Sequence, residues 1–138
     1  MDLKTAASNL QAQMPALIAF KYEVPAPQCV QALEDLTNAI IDLVESDTNI
    51  VIRSGPPLIP SFNADLAAIS SWLQNSLAFL EEQWNYVQNP NPFVVVSQTE
   101  QIVASCANAV MAPISRIQIW FTMSAGERAI LAKLQGES

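Results

Sequence analysis

Histidine is absent from this 138-residue chain, and glycine occurs only three times. Without imidazole, the chain cannot form Ser-His-Asp or Cys-His nucleophiles, and it cannot bind zinc or haem iron through histidine. The glycines, Gly55, Gly126 and Gly136, are too scattered to form a phosphate-binding loop. We therefore expect a protein that is not an enzyme and that holds no cofactor and no metal ion.

Positive charge is also scarce. Six lysines and arginines face 13 acidic residues, which gives a net charge of −7, and neither basic residue occurs between Arg53 and Arg116. Such a surface repels phosphate backbones, so we exclude nucleic acid as a partner. Arg53 and Arg116 could converge on one carboxylate, such as a fatty-acid headgroup. The favoured interpretation is that each pairs with a protein carboxylate or stays exposed.

Long hydrophobic runs are missing, since polar residues interrupt every apolar stretch before the roughly 20 residues that cross a bilayer. The sequence therefore predicts no membrane span. The segment Met1–Lys4 does not resemble the start of a signal peptide, which fits a cytoplasmic protein or a mature secreted chain with a new Met1. Few lysines and many amides favour the extracellular alternative slightly.

Cysteine occurs twice, at Cys29 and Cys106, too far apart in sequence for a close-spaced metal or redox motif. Two readings stay open. The residues are two buried thiols, or they form one disulfide that would stabilise the fold by up to ~4.5 kcal/mol in an oxidising compartment. Because each belongs to an apolar helix edge in a small bundle, we expect them to lie close together.

Hydrophobic residues, in contrast, make up 51% of the chain, which predicts one folded domain over residues 1–138. Their spacing of three and four predicts an all-α, compact bundle of four to five helices with Pro-rich connections. The predicted helices run from Leu3 to near Phe20, from about Gln28 to Val44, from about Asn63 to Gln88, from Ser97 to Phe121 and from Ser124 to Leu134.

Local signals refine this prediction. Ser97 to Glu100 and Ser124 to Glu127 each have the spacing of a capping box, which marks a helix start. Pro113 predicts a kink or a new start in the fourth helix. The β-branched segments 50–52 and 93–96 leave a two-strand pairing as an alternative.

The third predicted helix carries two apolar stripes. Leu66, Leu73 and Leu80 lie on the face that builds the core, and Trp72 and Phe79 lie on a second face. One stripe is enough for a core, so the second predicts a homodimer with Trp72 and Phe79 at or beside the interface.

Leu73 and Trp120 complete the set of candidate partner- or ligand-binding residues. The acidic residues of the second helix, including Asp42 and Glu45, are interpreted as a solvated face rather than a cation site. Glu81 differs, because it lies between the two stripes of the third helix and is expected to be partly buried.

Two function hypotheses follow. The first is an interaction protein that self-associates or docks a protein partner through an apolar helix face. The alternative is a small carrier that binds a lipid-like apolar molecule in a pocket within the bundle.

Overall fold

The computed structural model describes residues 1–19, 27–53 and 61–134. Within these residues the chain forms six α-helices, so the predicted all-α class is confirmed. They are α1 (Leu3–Ala19), α2 (Pro27–Val44), α3 (Phe62–Asn75), α4 (Leu77–Gln88), α5 (Val96–Thr122) and α6 (Ala125–Leu134).

The helix count exceeds the predicted four to five because the third predicted helix is two helices, α3 and α4, which meet at Ser76. Ser76 has φ −115° and ψ −21°, outside ideal helix geometry. Backbone hydrogen bonds still cross the junction, from the Ser76 N–H to the Trp72 carbonyl and from the Leu80 N–H to the Ser76 carbonyl, each 2.9 Å. The apolar spacing therefore continues through a break that it does not reveal.

Connections are described only in part. Pro90 and Pro92 lie between α4 and α5, whereas most of the other predicted Pro-rich stretches lie outside the described residues. A strand pairing of segments 50–52 and 93–96 was the alternative. Residues 50–52 and 93–95 are not strands, and Val96 begins α5. The side chain of Asn108 instead holds the first segment, since it accepts a hydrogen bond from the Arg53 N–H (2.7 Å) and donates one to the Val51 carbonyl (2.9 Å).

The central element is α5. It packs against α3 and α4 along most of its length and also contacts α2, while α1 packs mainly on α2 and then on α3. Ten residues of α5 are buried, which explains why this helix is apolar over so long a stretch. By length and composition alone, α5 is also the one helix in the described ranges that could span a membrane.

The two predicted capping boxes have different outcomes. At the start of α6 the box is formed, with the Ser124 N–H donating to Glu127 Oε1 and the Glu127 N–H donating to Ser124 Oγ, both 3.2 Å. The hydrogen bond from the Ser124 backbone N–H, and after it an interaction with the Ser124 side chain, lower the pKa of Glu127. The prediction of a capping box at Ser97 is wrong, because α5 begins one residue earlier, at Val96, and its N-cap is Val95.

Glu100, the expected acid of that box, is buried and accepts a hydrogen bond from the Asn49 side-chain amide at 3.2 Å instead. Its pKa is raised, first by a hydrogen bond with the Asp47 carboxyl group and then by burial. The bond joins the turn after α2 to α5, so Glu100 contributes to tertiary packing rather than to a helix cap.

Two further features concern α5 and α6. α5 continues through Pro113 without a new start. In α6 the buried residues are Arg128 and Ala132, whereas Ile130 and Leu134 are exposed. Arg128 donates a hydrogen bond to the carbonyl of Met123, at the end of α5, and this contact sets the rotation of α6.

Candidate interaction site

Three of the four candidate binding residues, Trp72, Leu73 and Trp120, lie in the core. Trp120 is fully buried, with its ring centroid 5.2 Å from that of Phe62, and Leu73 is 6% exposed. Trp120 joins α5 to α3 through this contact, and Leu73 belongs to the hydrophobic core. Neither presents a surface to a partner or a ligand.

Trp72 is also buried, but it lies directly beneath a surface groove. Its indole N–H donates a hydrogen bond of 2.8 Å to the Cys106 carbonyl, which ties α3 to α5. Phe79, seven residues further along, is 44% exposed. The second stripe is thus real, but α5 covers its first aromatic residue and leaves the second in contact with water.

The groove between α3, α4 and α5, which we call the α4–α5 groove, has a volume of about 300 Å³ and is open to solvent. Phe79 on α4 and Ile102 on α5 form its two rims, and both are exposed, Ile102 by 39%. None of its lining residues is charged. They are Trp72, Ser76, Phe79, Ile102, Ser105, Cys106 and Ala109.

Cys106 forms part of the groove wall and is half-buried. Its thiol lies 3.7 Å from the Ser76 carbonyl, to which it donates a weak hydrogen bond. Burial raises the pKa of this thiol, and the hydrogen bond with Trp72 offsets this only in part. Because the thiolate is the nucleophile, a neutral Cys106 adds polarizable surface to the groove rather than reactivity.

The candidate disulfide between Cys29 and Cys106 is not formed, and both cysteines are free. The two thiols face different neighbours. Cys29, on α2, donates to Gln13 Oε1 on α1 at 3.3 Å, whereas Cys106 faces the junction of α3 and α4. Burial also raises the pKa of Cys29. The structure therefore has two free thiols with different hydrogen-bond partners.

Arg53 and Arg116 do not converge on one carboxylate. Arg116 Nε forms an ion pair of 2.9 Å with Asp65 Oδ1, and Arg53 is exposed. The other carboxylate oxygen of Asp65 is buried without a hydrogen-bond partner. This pair joins α3 to α5 and engages Arg116 within the protein.

Carboxylates elsewhere are spread over the surface. Asp42 and Glu45 are exposed, as a solvated face predicts, and Glu81 is half-buried. Among the described residues, no three Asp, Glu or Cys side chains are grouped as metal ligands would be. The lining of the α4–α5 groove contains no carboxylate.

Sequence reasoning did not identify Ile102, Ser105 and Ala109 as groove residues. They recur at spacings of three and four on α5, which was interpreted only through its inward residues. The signal was present, because a long helix that must bury one stripe also presents an opposite one. The spacing of residues on α5 does not show which of its stripes lies next to Phe79.

Comparison with known proteins leaves the function to be argued from this geometry. No protein-family model, no curated protein and no solved structure matches the chain.

Proposed function

We propose that the chain is a non-enzymatic interaction protein that forms a homodimer through the α4–α5 groove. The observation that carries this proposal is the pair of exposed rim residues, Phe79 and Ile102, on either side of an uncharged groove. A buried phenylalanine covers roughly 150–250 Å² of apolar area, so the exposed part of Phe79 is a substantial gain once it is covered.

Charge favours a second copy as the occupant of this surface. Each chain carries −7, so two copies repel each other wherever their acidic faces meet. The groove lining contains no charge, so it is a place where two copies can approach without opposing carboxylates. A strongly basic partner would instead be drawn towards the acidic surface elsewhere on the molecule.

The surface also suits two-fold pairing. In such an interface a residue of one copy contacts a different residue of the other, and the contact occurs twice. Phe79 of one copy would lie against Ile102 of the second. The small side chains of Ser105 and Ala109 allow the two α5 helices to approach closely.

The groove alone is smaller than a standard interface, which buries about 1,200–2,000 Å² in total. The exposed side of α5 extends it, since Ala112 and Ile119 follow Ser105 at intervals of seven residues and so share its face. Ile119 is 38% exposed. The proposed dimer therefore uses α5 along its length and α4 near Phe79.

The test is the mass in solution, measured by light scattering over a range of concentrations. We expect the parent chain at twice the monomer mass of 15.0 kDa and Phe79→Gln at the monomer mass. Phe93→Gln is the matched control, because Phe93 is 96% exposed but lies outside the groove. A parent chain that is monomeric throughout would contradict the proposal, and so would equal effects of the two variants.

The carrier hypothesis has weaker support. Four cavities formed by the described helices, the α4–α5 groove among them, are open clefts of about 290–380 Å³. Native mass spectrometry on the same samples distinguishes the two hypotheses. A bound apolar molecule on a monomeric chain would favour the carrier.

A further inference from the structure

A second cleft lies between α4 and the hairpin of α1 and α2, and it differs chemically from the α4–α5 groove. The cleft exists because α4 packs mainly on α5 while α1 packs mainly on α2, so the two units separate where α1 begins and α2 ends. Its volume is about 320 Å³, at the lower end of the roughly 300–1,000 Å³ of small-molecule sites.

The apolar part of the cleft comes from three helices. Leu3 at the start of α1 and Trp84 on α4 are each 5% exposed, and Leu43 near the end of α2 is half-buried. Because these side chains belong to separate helices that already pack in the core, the apolar wall is preformed. It can cover one aromatic ring or a short alkyl chain.

The polar part is dominated by carboxylates. Glu81 on α4 lines the cleft, is half-buried, and makes no hydrogen bond or ion pair with another described residue. Asp2 also lines it, with Oδ1 accepting the Thr5 N–H at 2.7 Å as the cap of α1. That backbone hydrogen bond lowers the pKa of Asp2, so its carboxylate is ionised at neutral pH.

Lys4 is the only basic residue that lines the cleft, and it forms no ion pair with a described residue. Its charge and that of the N-terminal ammonium both act on the Asp2 carboxylate, whereas neither forms an ion pair with Glu81. Glu81 is the carboxylate with no partner, and it is the one on the same helix as Trp84, one turn away. A ligand that pairs with Glu81 and also packs on Trp84 would carry a positive charge next to an apolar group.

We infer that this cleft binds a small organic amine in its protonated form, with an apolar body against Trp84 and Leu43 and Glu81 as the counterion. The site is on the opposite side of α4 from Phe79, so this inference does not depend on the dimer.

Phenethylamine is a suitable probe, and 2-phenylethanol is its neutral counterpart of similar size. Titration calorimetry at low salt should show saturable binding of phenethylamine to the parent chain and at least about tenfold weaker binding of the alcohol, as expected for a lost charge-assisted hydrogen bond. Raising the salt concentration should weaken the binding of phenethylamine and leave the binding of the alcohol unchanged.

Three variants test whether the charged residues of the cleft determine amine binding. Glu81→Gln should weaken amine binding about tenfold. Lys4→Gln should strengthen it, because it removes a like charge from the cleft. Glu82→Gln is the matched control, since it makes the same charge change one residue away, on an exposed side chain that accepts a hydrogen bond from the Tyr86 hydroxyl at 3.3 Å and does not line the cleft.

The inference is overturned if phenethylamine does not bind at millimolar concentration, if the alcohol binds equally well, or if the two glutamate variants lose binding equally. Light scattering on the same variants separates this outcome from the proposed function. Glu81→Gln should keep the parent's mass, so loss of amine binding with an intact dimer concerns the cleft alone.

Discussion

α3 and α4 come from one run of apolar residues, yet the bundle uses them differently. Six of the 14 residues of α3 are buried, against two of the 12 in α4. α3 packs against α5 and α1, whereas α4 packs mainly on α5. A helix that packs against two neighbours buries most of its apolar side chains in the core. A helix that packs mainly on one neighbour leaves its other faces accessible, and both the groove and the cleft lie on α4.

The largest expected difference is between the two aromatic residues of the second stripe. Trp72→Ala should lower the free energy of unfolding by about 3–5 kcal/mol, because it empties a buried site and removes the bond to Cys106. Phe79→Ala should lower it by less than about 1 kcal/mol. Denaturant unfolding, at a concentration low enough for monomers, measures both. Equal losses would mean that α3 and α4 are equally embedded.

The acidic residues provide the next comparison. Asp65→Asn should lower stability by about 2–3 kcal/mol, since it breaks the pair with Arg116 and places an amide at a buried atom that lacks a partner. Glu81→Gln, the same change of charge on α4, should alter stability by no more than about 0.5 kcal/mol. Thermal unfolding of the two variants checks this, and a larger loss for Glu81→Gln would reverse the ranking.

The smallest effect is expected at the junction itself. The Ser76 hydroxyl caps neither helix, so Ser76→Ala removes no hydrogen bond of either cap and improves helix propensity. We expect a gain of about 0.5 kcal/mol, read as a small rise in the melting temperature. A loss above about 1 kcal/mol would show that the serine itself is needed to separate α3 from α4.

Most of the helical pattern could be predicted from the sequence, because it depends on local spacing. The core stripe of Leu66, Leu73 and Leu80 is buried, and Ser124 and Glu127 form their box. Errors arose where tertiary contacts override local preference. Arg128 is buried in α6 because the Met123 carbonyl accepts its hydrogen bond, and the spacing of apolar residues does not predict the burial of an arginine.

The candidate sites were predictable in part for a related reason. Phe79 stood out because it is a large aromatic residue on a second stripe, and Glu81 because it lies between stripes. Trp72 carries the same sequence signal as Phe79, but its burial is decided by the position of Cys106 on another helix. Which face of a helix another helix will cover is a property of the assembled bundle.

The proline inside α5 has a consequence for the specificity of the groove. Pro113 has no amide hydrogen, so the carbonyl of Ala109, four residues earlier, lacks its usual helical donor. Ala109 lies in the wall of the α4–α5 groove and is exposed. The uncharged wall of the groove thus contains a backbone carbonyl at a fixed position that is open to a donor, beside the hydroxyl of Ser105. Apolar contacts tolerate sliding, whereas a single directional hydrogen bond selects one alignment of the docked helix over its neighbours a turn away.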